Sequence, residues 1–183
     1  MKKIDLNKLR DKAYKTACEH GLHDQELSNE HCLCLVISEL MKAVEADRKR
    51  KYFKGKIMFE RDFNLYSALV EENVRYRNAF EKHIKDTVGD KLADTVIRLL
   101  DLAGLRNLNL NRFALVNVVS KKKTFTENIH SIVKDITNYK YTLEELVNYA
   151  ITQVFVLSDI LDIDLLWHIE QKMKYNELRE KMH

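Results

Sequence analysis

Asp90-Lys91-Leu92-Ala93-Asp94-Thr95-Val96-Ile97-Arg98-Leu99-Leu100-Asp101-Leu102-Ala103-Gly104 carries an apolar stripe at a spacing of three to four residues. That period predicts a helix. It starts near Asp86 or Val88 and stops at Gly104, with Gly89 weakening its first turn or marking a bend. No proline and only four glycines interrupt the chain, so long helices are expected throughout. A second stretch, Ser38-Glu39-Leu40-Met41-Lys42-Ala43-Val44-Glu45-Ala46-Asp47-Arg48, belongs to a helix that Ser28 caps and that runs to about Arg50. Its centre, Leu33 to Ile37, is apolar almost all round, which predicts the most buried helix of the fold.

The other elements fall outward from these two. Residues 5 to 20 form an amphipathic helix with Leu6, Leu9, Ala13 and Ala17 on one face and Gly21 as its stop. Residues 52 to 66 lose the period; Tyr52, Phe53, Phe59, Phe63 and Tyr66 stand among charges, which predicts an ordered loop or arm. A helix follows from about Ala68 to Lys85. Asn107 to Asn111 is a polar loop. Thr124 with Glu127, and Thr142 with Glu145, are capping-box pairs for two more helices, the second reaching about Leu161. Asp162 and Asp164 precede a last helix running from Leu165 towards Met182. No period-two strand, internal repeat or low-complexity segment is visible. The reading is all-α, one domain over 1–183, with an N-terminal helix and loop over 1–27 and a C-terminal helix over 165–183.

Composition bounds the function. The chain has 183 residues, 45% hydrophobic and 32% charged, which suits one globular domain with a core of its own. A net charge of +3 gives no basic face for duplex nucleic acid, and the short runs Lys49–Lys51 and Lys121–Lys123 read as solvated surface. No stretch approaches the apolar length of a membrane span, and Met1 to Leu6 has no signal-like apolar region. Cys18, Cys32 and Cys34 cannot all pair within one chain and lack CxxC spacing, so core thiols in a reducing, cytoplasmic compartment are expected.

Residues three or four apart share a helix face. Two helices that each offer two acids in this way can hold Mg²⁺ through oxygen ligands, with substrate phosphates completing its shell. A metal-bound water can then attack phosphorus while the cation absorbs charge on the leaving diphosphate. Here each candidate pair holds one acid and one lysine: Glu39 with Lys42, and Lys91 with Asp94.

Leu-Val-Ile-Ser-Glu-Leu-x-x-Ala-Val-Glu-Ala-Asp-Arg, ending at Arg48, and Leu-Ala-Asp-x-Val-Ile-Arg-Leu-Leu-Asp-Leu-Ala-Gly, ending at Gly104, resemble the MazG-type all-α nucleoside triphosphate pyrophosphohydrolases. The similarity is to a MazG-like bacterial and phage branch, covers roughly residues 20 to 183, and includes Lys172-Met173-Lys174-Tyr175-Asn176-x-x-Arg179 in the last helix. The resemblance implies a helical bundle, a homodimer or tetramer, and Mg²⁺-dependent splitting of an NTP or dNTP into the monophosphate and pyrophosphate. It implies metal ligands on an ExxE and a later ExxD motif. Those positions read Glu39-Leu40-Met41-Lys42 and Lys91-Leu92-Ala93-Asp94. Glu39 and Asp94 remain, while Lys42 and Lys91 replace two carboxylates, so the four positions sum to zero charge. An ammonium has no lone pair for a metal and repels it. Lys42 and Lys91 are therefore expected to pair with Glu39, Asp94 or nearby acids, leaving a protein that binds nucleotide with weak or no hydrolysis.

Two other functions stay open. Glu45, Asp90, Asp94 and Glu39 could form a shifted metal shell in an active enzyme, although Asp86 and Asp90 also read as helix-N-terminal acids, and Glu45 and Asp47 as a solvated helix end. Alternatively, the chain is a non-enzymatic helical interaction module. Lys172, Asn176 and Arg179, at i, i+4 and i+7, form a face that could clasp phosphate or a base edge. Glu127 and His130 make a lone ExxH, and His20, His23 and His31 lack zinc-ligand spacing. Trp167 reads as core.

Overall fold

The computed structural model of the protein describes residues 4–110, 122, 124–138 and 140–179. They form helices α1 (Leu6–Glu19), α2 (Asn29–Arg48), α3 (Lys56–Asn64), α4 (Glu72–His83), α5 (Val88–Leu105), α6 (Phe125–Thr137), α7 (Leu143–Ile160) and α8 (Leu165–Glu177). No strand occurs among the described residues, so the fold is all-α. Lys121, Lys123, Asn111 and the stretch from Glu180 to His183 lie outside the described residues.

Side-chain chemistry sets most helix ends. The Ser28 hydroxyl accepts from the His31 amide at 3.1 Å, and Asp164 accepts from the Trp167 amide at 3.1 Å. Both expected capping boxes, Thr124 with Glu127 and Thr142 with Glu145, are formed in both directions. At the end of α1, Gly21 takes φ +77° while its amide bonds Cys18 O and the Leu22 amide bonds Ala17 O. This is a Schellman ending, and it needs a residue at ease in the left-handed region.

The middle of the bundle is α5, which packs on α1, α2, α7 and α8. Val88, Leu92, Val96, Leu99, Leu100 and Ala103 on α5 are all 0% exposed. The sequence expected α2 to be the most buried helix, and that is corrected. α2 buries a stripe of Cys32, Val36, Leu40 and Ala43 against its neighbours, while Cys34 and Met41 on the outer side are exposed. α5 and α7 are covered on more sides, and each buries polar side chains as well as apolar ones. The expectation of core thiols holds for Cys32 alone; Cys18 and Cys34 are exposed.

The aromatic segment also differs from expectation. Residues 56–64 of the predicted loop are helical, and the following helix begins at Glu72 rather than Ala68. Phe59 and Phe63, one turn apart, stack at 6.3 Å and meet the edge of Tyr76 at 6.0 and 5.9 Å. This second, aromatic cluster of α3 and α4 includes buried Phe80 and Ile84 and closes on Trp167, Tyr175 and Leu178 around α8. A short helix whose stability comes from ring contacts across the sequence has little period of its own.

Two glycines on α5 mark close approaches. A Cβ on Gly89 would lie 2.6 Å from His168 Nε2, and one on Gly104 would lie 2.4 Å from Tyr14 Cβ. Gly89 lies within the first turn of a continuous α5. It lets the start of α5 sit under the ring of His168 on α8, and Gly104 lets α1 lie close at the other end.

Candidate functional site

One face of α5 carries Lys91, Asp94, Arg98 and Asp101 at i, i+3, i+7 and i+10. It forms the floor of a cleft of about 450 Å³. Glu39 and Lys42 reach the cleft from α2, Lys172 and Asn176 from α8, and Arg179 from the turn just past the end of α8. Thr16 and His20 line it from α1, where Ala13 and Ala17 leave room. Every expected site residue except Glu45 and Asp90 lines this cleft. Asp90 lies directly behind it. Glu45 instead pairs with Arg48 at 3.4 Å and Lys49 at 2.9 Å on the exposed end of α2.

The start of α5 builds the acidic part. The Thr87 hydroxyl caps the helix by accepting from the Asp90 amide at 3.2 Å, and it donates to Ile84 O at 2.7 Å. Asp86, in the left-handed region at φ +63°, gives its amide to Asp90 Oδ2 at 2.9 Å. Asp90 is thereby fixed with 0% exposure. A buried carboxylate needs a positive partner. It has one in Lys172, 82 residues away, whose Nζ bridges Asp90 Oδ1 at 2.9 Å and Asp94 Oδ2 at 2.8 Å. Lys172 is only 7% exposed and also lies over the rings of Phe80 and Tyr175, at 5.6 and 5.9 Å.

Lys91 and Lys42 take the other acids. Lys91 Nζ is 2.8 Å from Asp86, 3.4 Å from Asp90 and 3.9 Å from Asp94. Lys42 Nζ donates to Glu39 Oε1 at 2.9 Å. Burial alone would lower the pKa of Lys91 and of Lys172, but the surrounding aspartates raise both above the usual lysine value, so both are charged. Burial pushes the Asp94 carboxyl up to about 6; Lys172 opposes this, and the charges of Asp90 and Glu39 add to it. Burial also raises Asp101, against the pull of His23, whose ring nitrogen lies 2.7 Å away.

Four residues that the sequence reading gave no role also line the cleft: Lys85, Arg98, Asp101 and His20. Arg98 and Asp101 were readable, since they continue the Lys91–Asp94 face at helical spacing. Six cationic side chains, Lys42, Lys85, Lys91, Arg98, Lys172 and Arg179, share the cleft with three carboxylates, Glu39, Asp94 and Asp101, while Glu81, Asp86 and Asp90 at its edge pair with Lys85, Lys91 and Lys172. Among the described residues, neither Arg98 nor Arg179 has an ion pair, although the Arg98 charge acts to lower the Asp101 carboxyl one turn away. Two buried acceptors, Glu39 Oε2 and Asn176 Oδ1, have no donor.

This donor set does not fit Mg²⁺. The ion needs near-octahedral oxygen ligation. Lys172 holds one oxygen each of Asp90 and Asp94, Lys91 lies beside the same two acids, and Lys42 holds one oxygen of Glu39. Among the described residues, no three His, Cys, Asp or Glu side chains are grouped to hold a metal. What the arrangement offers phosphate is two planar guanidinium forks, Arg98 and Arg179, beside ammonium groups already paired with acids. Among the described residues, no single helix is long and apolar enough to cross a membrane.

No protein-family model matches the chain, and no curated protein and no solved structure matches it either.

Proposed function

We propose that this is a MazG-like nucleotide-binding protein whose pyrophosphohydrolase chemistry is weak or lost. The observation that carries the reading is the cleft itself. It gathers the α2, α5 and α8 positions that the resemblance singles out, with Arg98 and Arg179 outside any ion pair among the described residues and every acid near the metal positions already held by an ammonium. Charge-assisted hydrogen bonds from such groups are among the stronger ones available to a protein. Among the described residues no set of metal ligands is grouped, which argues against the shifted shell, and Glu45 is paired with Lys49 on the exposed end of α2.

A homodimer or tetramer in the cytoplasm belongs to the same reading. The turn between α3 and α4 exposes Leu65, Tyr66, Leu69 and Val70, and an apolar patch of this kind suits self-association. The non-enzymatic interaction module remains the competing function.

The test is calorimetric titration with a panel of NTPs and dNTPs, together with a pyrophosphate-release assay in Mg²⁺. Saturable binding of at least one nucleotide is expected, about ten- to hundredfold weaker in Arg98→Ala, as loss of a charged hydrogen-bond donor implies. Pyrophosphate release should be near background. Rapid release that Glu39→Gln abolishes would favour the active enzyme. Binding of none of the panel would favour the interaction module.

A further inference from the structure

We propose that the cleft takes its nucleotide as the metal-free polyphosphate anion, with Lys172 as a fixed internal counter-ion in the place a divalent cation would fill. The proposal rests on the nucleotide-binding reading above and specifies the form of the ligand.

Lys172 is tethered from α8, nearly fully buried, and bonded to two carboxylates at once. Together with Lys91, 3.4 Å from Asp90 and 3.9 Å from Asp94, it offsets the charge of these two acids, as a divalent metal would. It differs from a metal in having no open coordination position for a phosphate oxygen or a water. A free nucleoside triphosphate carries about four negative charges and its magnesium complex about two, so the free anion gains more from the guanidinium groups of Arg98 and Arg179. A magnesium complex would also bring its own cation towards Lys172, Lys91 and Lys42, and like charges repel. Arg98 and Arg179, which make no ion pair among the described residues, are the cleft's cations left for its phosphates, with Asp101 the nearest competitor for Arg98.

The unsatisfied acceptors give the ligand a direction. Glu39 is 7% exposed and its Oε2 has no donor; the Asn176 Oδ1 is in the same state. Phosphate oxygens are acceptors and cannot satisfy them. A hydroxyl or amino group can. The sugar or base end of the ligand therefore faces Glu39 and Asn176, and the phosphates face Arg98 and Arg179.

The test titrates the wild-type protein with the tightest-binding nucleotide of the panel, once in EDTA and once in excess Mg²⁺. Binding should be at least about tenfold tighter in EDTA. In parallel, Mn²⁺ alone is followed by electron paramagnetic resonance as a stand-in for Mg²⁺; the wild type should show no saturable site. Equal or tighter binding in Mg²⁺ would overturn the metal-free form while leaving nucleotide binding intact. A saturable Mn²⁺ site abolished by Glu39→Gln would overturn it as well. Binding in neither buffer would remove the nucleotide reading, and this inference with it. None of these measurements depends on whether a Lys172 variant is stable.

Discussion

Lys172→Met is the most informative single change. The methionine keeps most of the side-chain stem but removes the ammonium that lies 2.9 Å from Asp90 and 2.8 Å from Asp94. Asp90 is fully buried, so its charge cannot turn to water. Removing one partner of a buried pair costs about 3–5 kcal/mol. Two features reduce that figure here. Lys91 stays within 3.4 Å of Asp90 and 3.9 Å of Asp94, and the Asp94 carboxyl, at about 6, can take up a proton. About 2–3 kcal/mol at pH 7.5 is the expected loss, a fall in urea midpoint of about 1 M. The Asp94 carboxyl is raised in the folded state, so it favours folding below the unfolded value near 4 and loses that contribution as pH rises through about 6. At pH 5 Asp94 is largely protonated in both proteins and has less need of the ammonium, so the gap between them narrows. Urea unfolding followed by circular dichroism at pH 5 and 7.5 measures both values. A Lys172→Met protein as stable as wild type at pH 7.5, or one whose deficit grows towards pH 5, would refute the view that this ammonium holds the two acids.

Gly89→Ala and Gly104→Ala should each destabilise by about 1–3 kcal/mol, because the new Cβ meets His168 in one case and the Tyr14 Cβ in the other; thermal melts read the loss. Burial holds His168 down to about 4. The unfolded chain therefore takes up a proton below about 6.5 while the native state does not, and stability is lost as pH falls from there to about 4. Relative to His168→Leu, the wild type should lose up to about 3 kcal/mol across that window in urea titrations. Lys42→Glu with Lys91→Glu should restore little Mg²⁺ binding, because Lys172 still occupies Asp90 and Asp94; adding Lys172→Met should bring out a saturable Mn²⁺ signal.

Local chemistry was the legible part of the fold. The Ser28 cap, both capping boxes, the Gly21 stop and the Lys172–Asn176–Arg179 face depend on neighbours a turn or two away. Lys42 on Glu39 was readable for the same reason, as an i, i+3 pair. What escaped the sequence lies between distant segments. Nothing local tells that Lys172 reaches Asp90, or that Gly89 is small because His168 rests on it. Helix α3 was missed because its order comes from Tyr76 and Trp167, not from its own period. The burial of α2 was overestimated because hydropathy counts apolar residues without knowing how many sides a helix has covered, and α5 has neighbours on more sides.

A structure of the protein crystallised with its tightest-binding nucleotide and no divalent ion tests the central claim most directly. The account predicts phosphates on Arg98 and Arg179, the sugar or base against Glu39 and Asn176, and Lys172 still bridging Asp90 and Asp94. A nucleotide bound elsewhere would contradict it, as would, on adding Mg²⁺, an ion seated on Glu39 and Asp94 with Lys172 swung away.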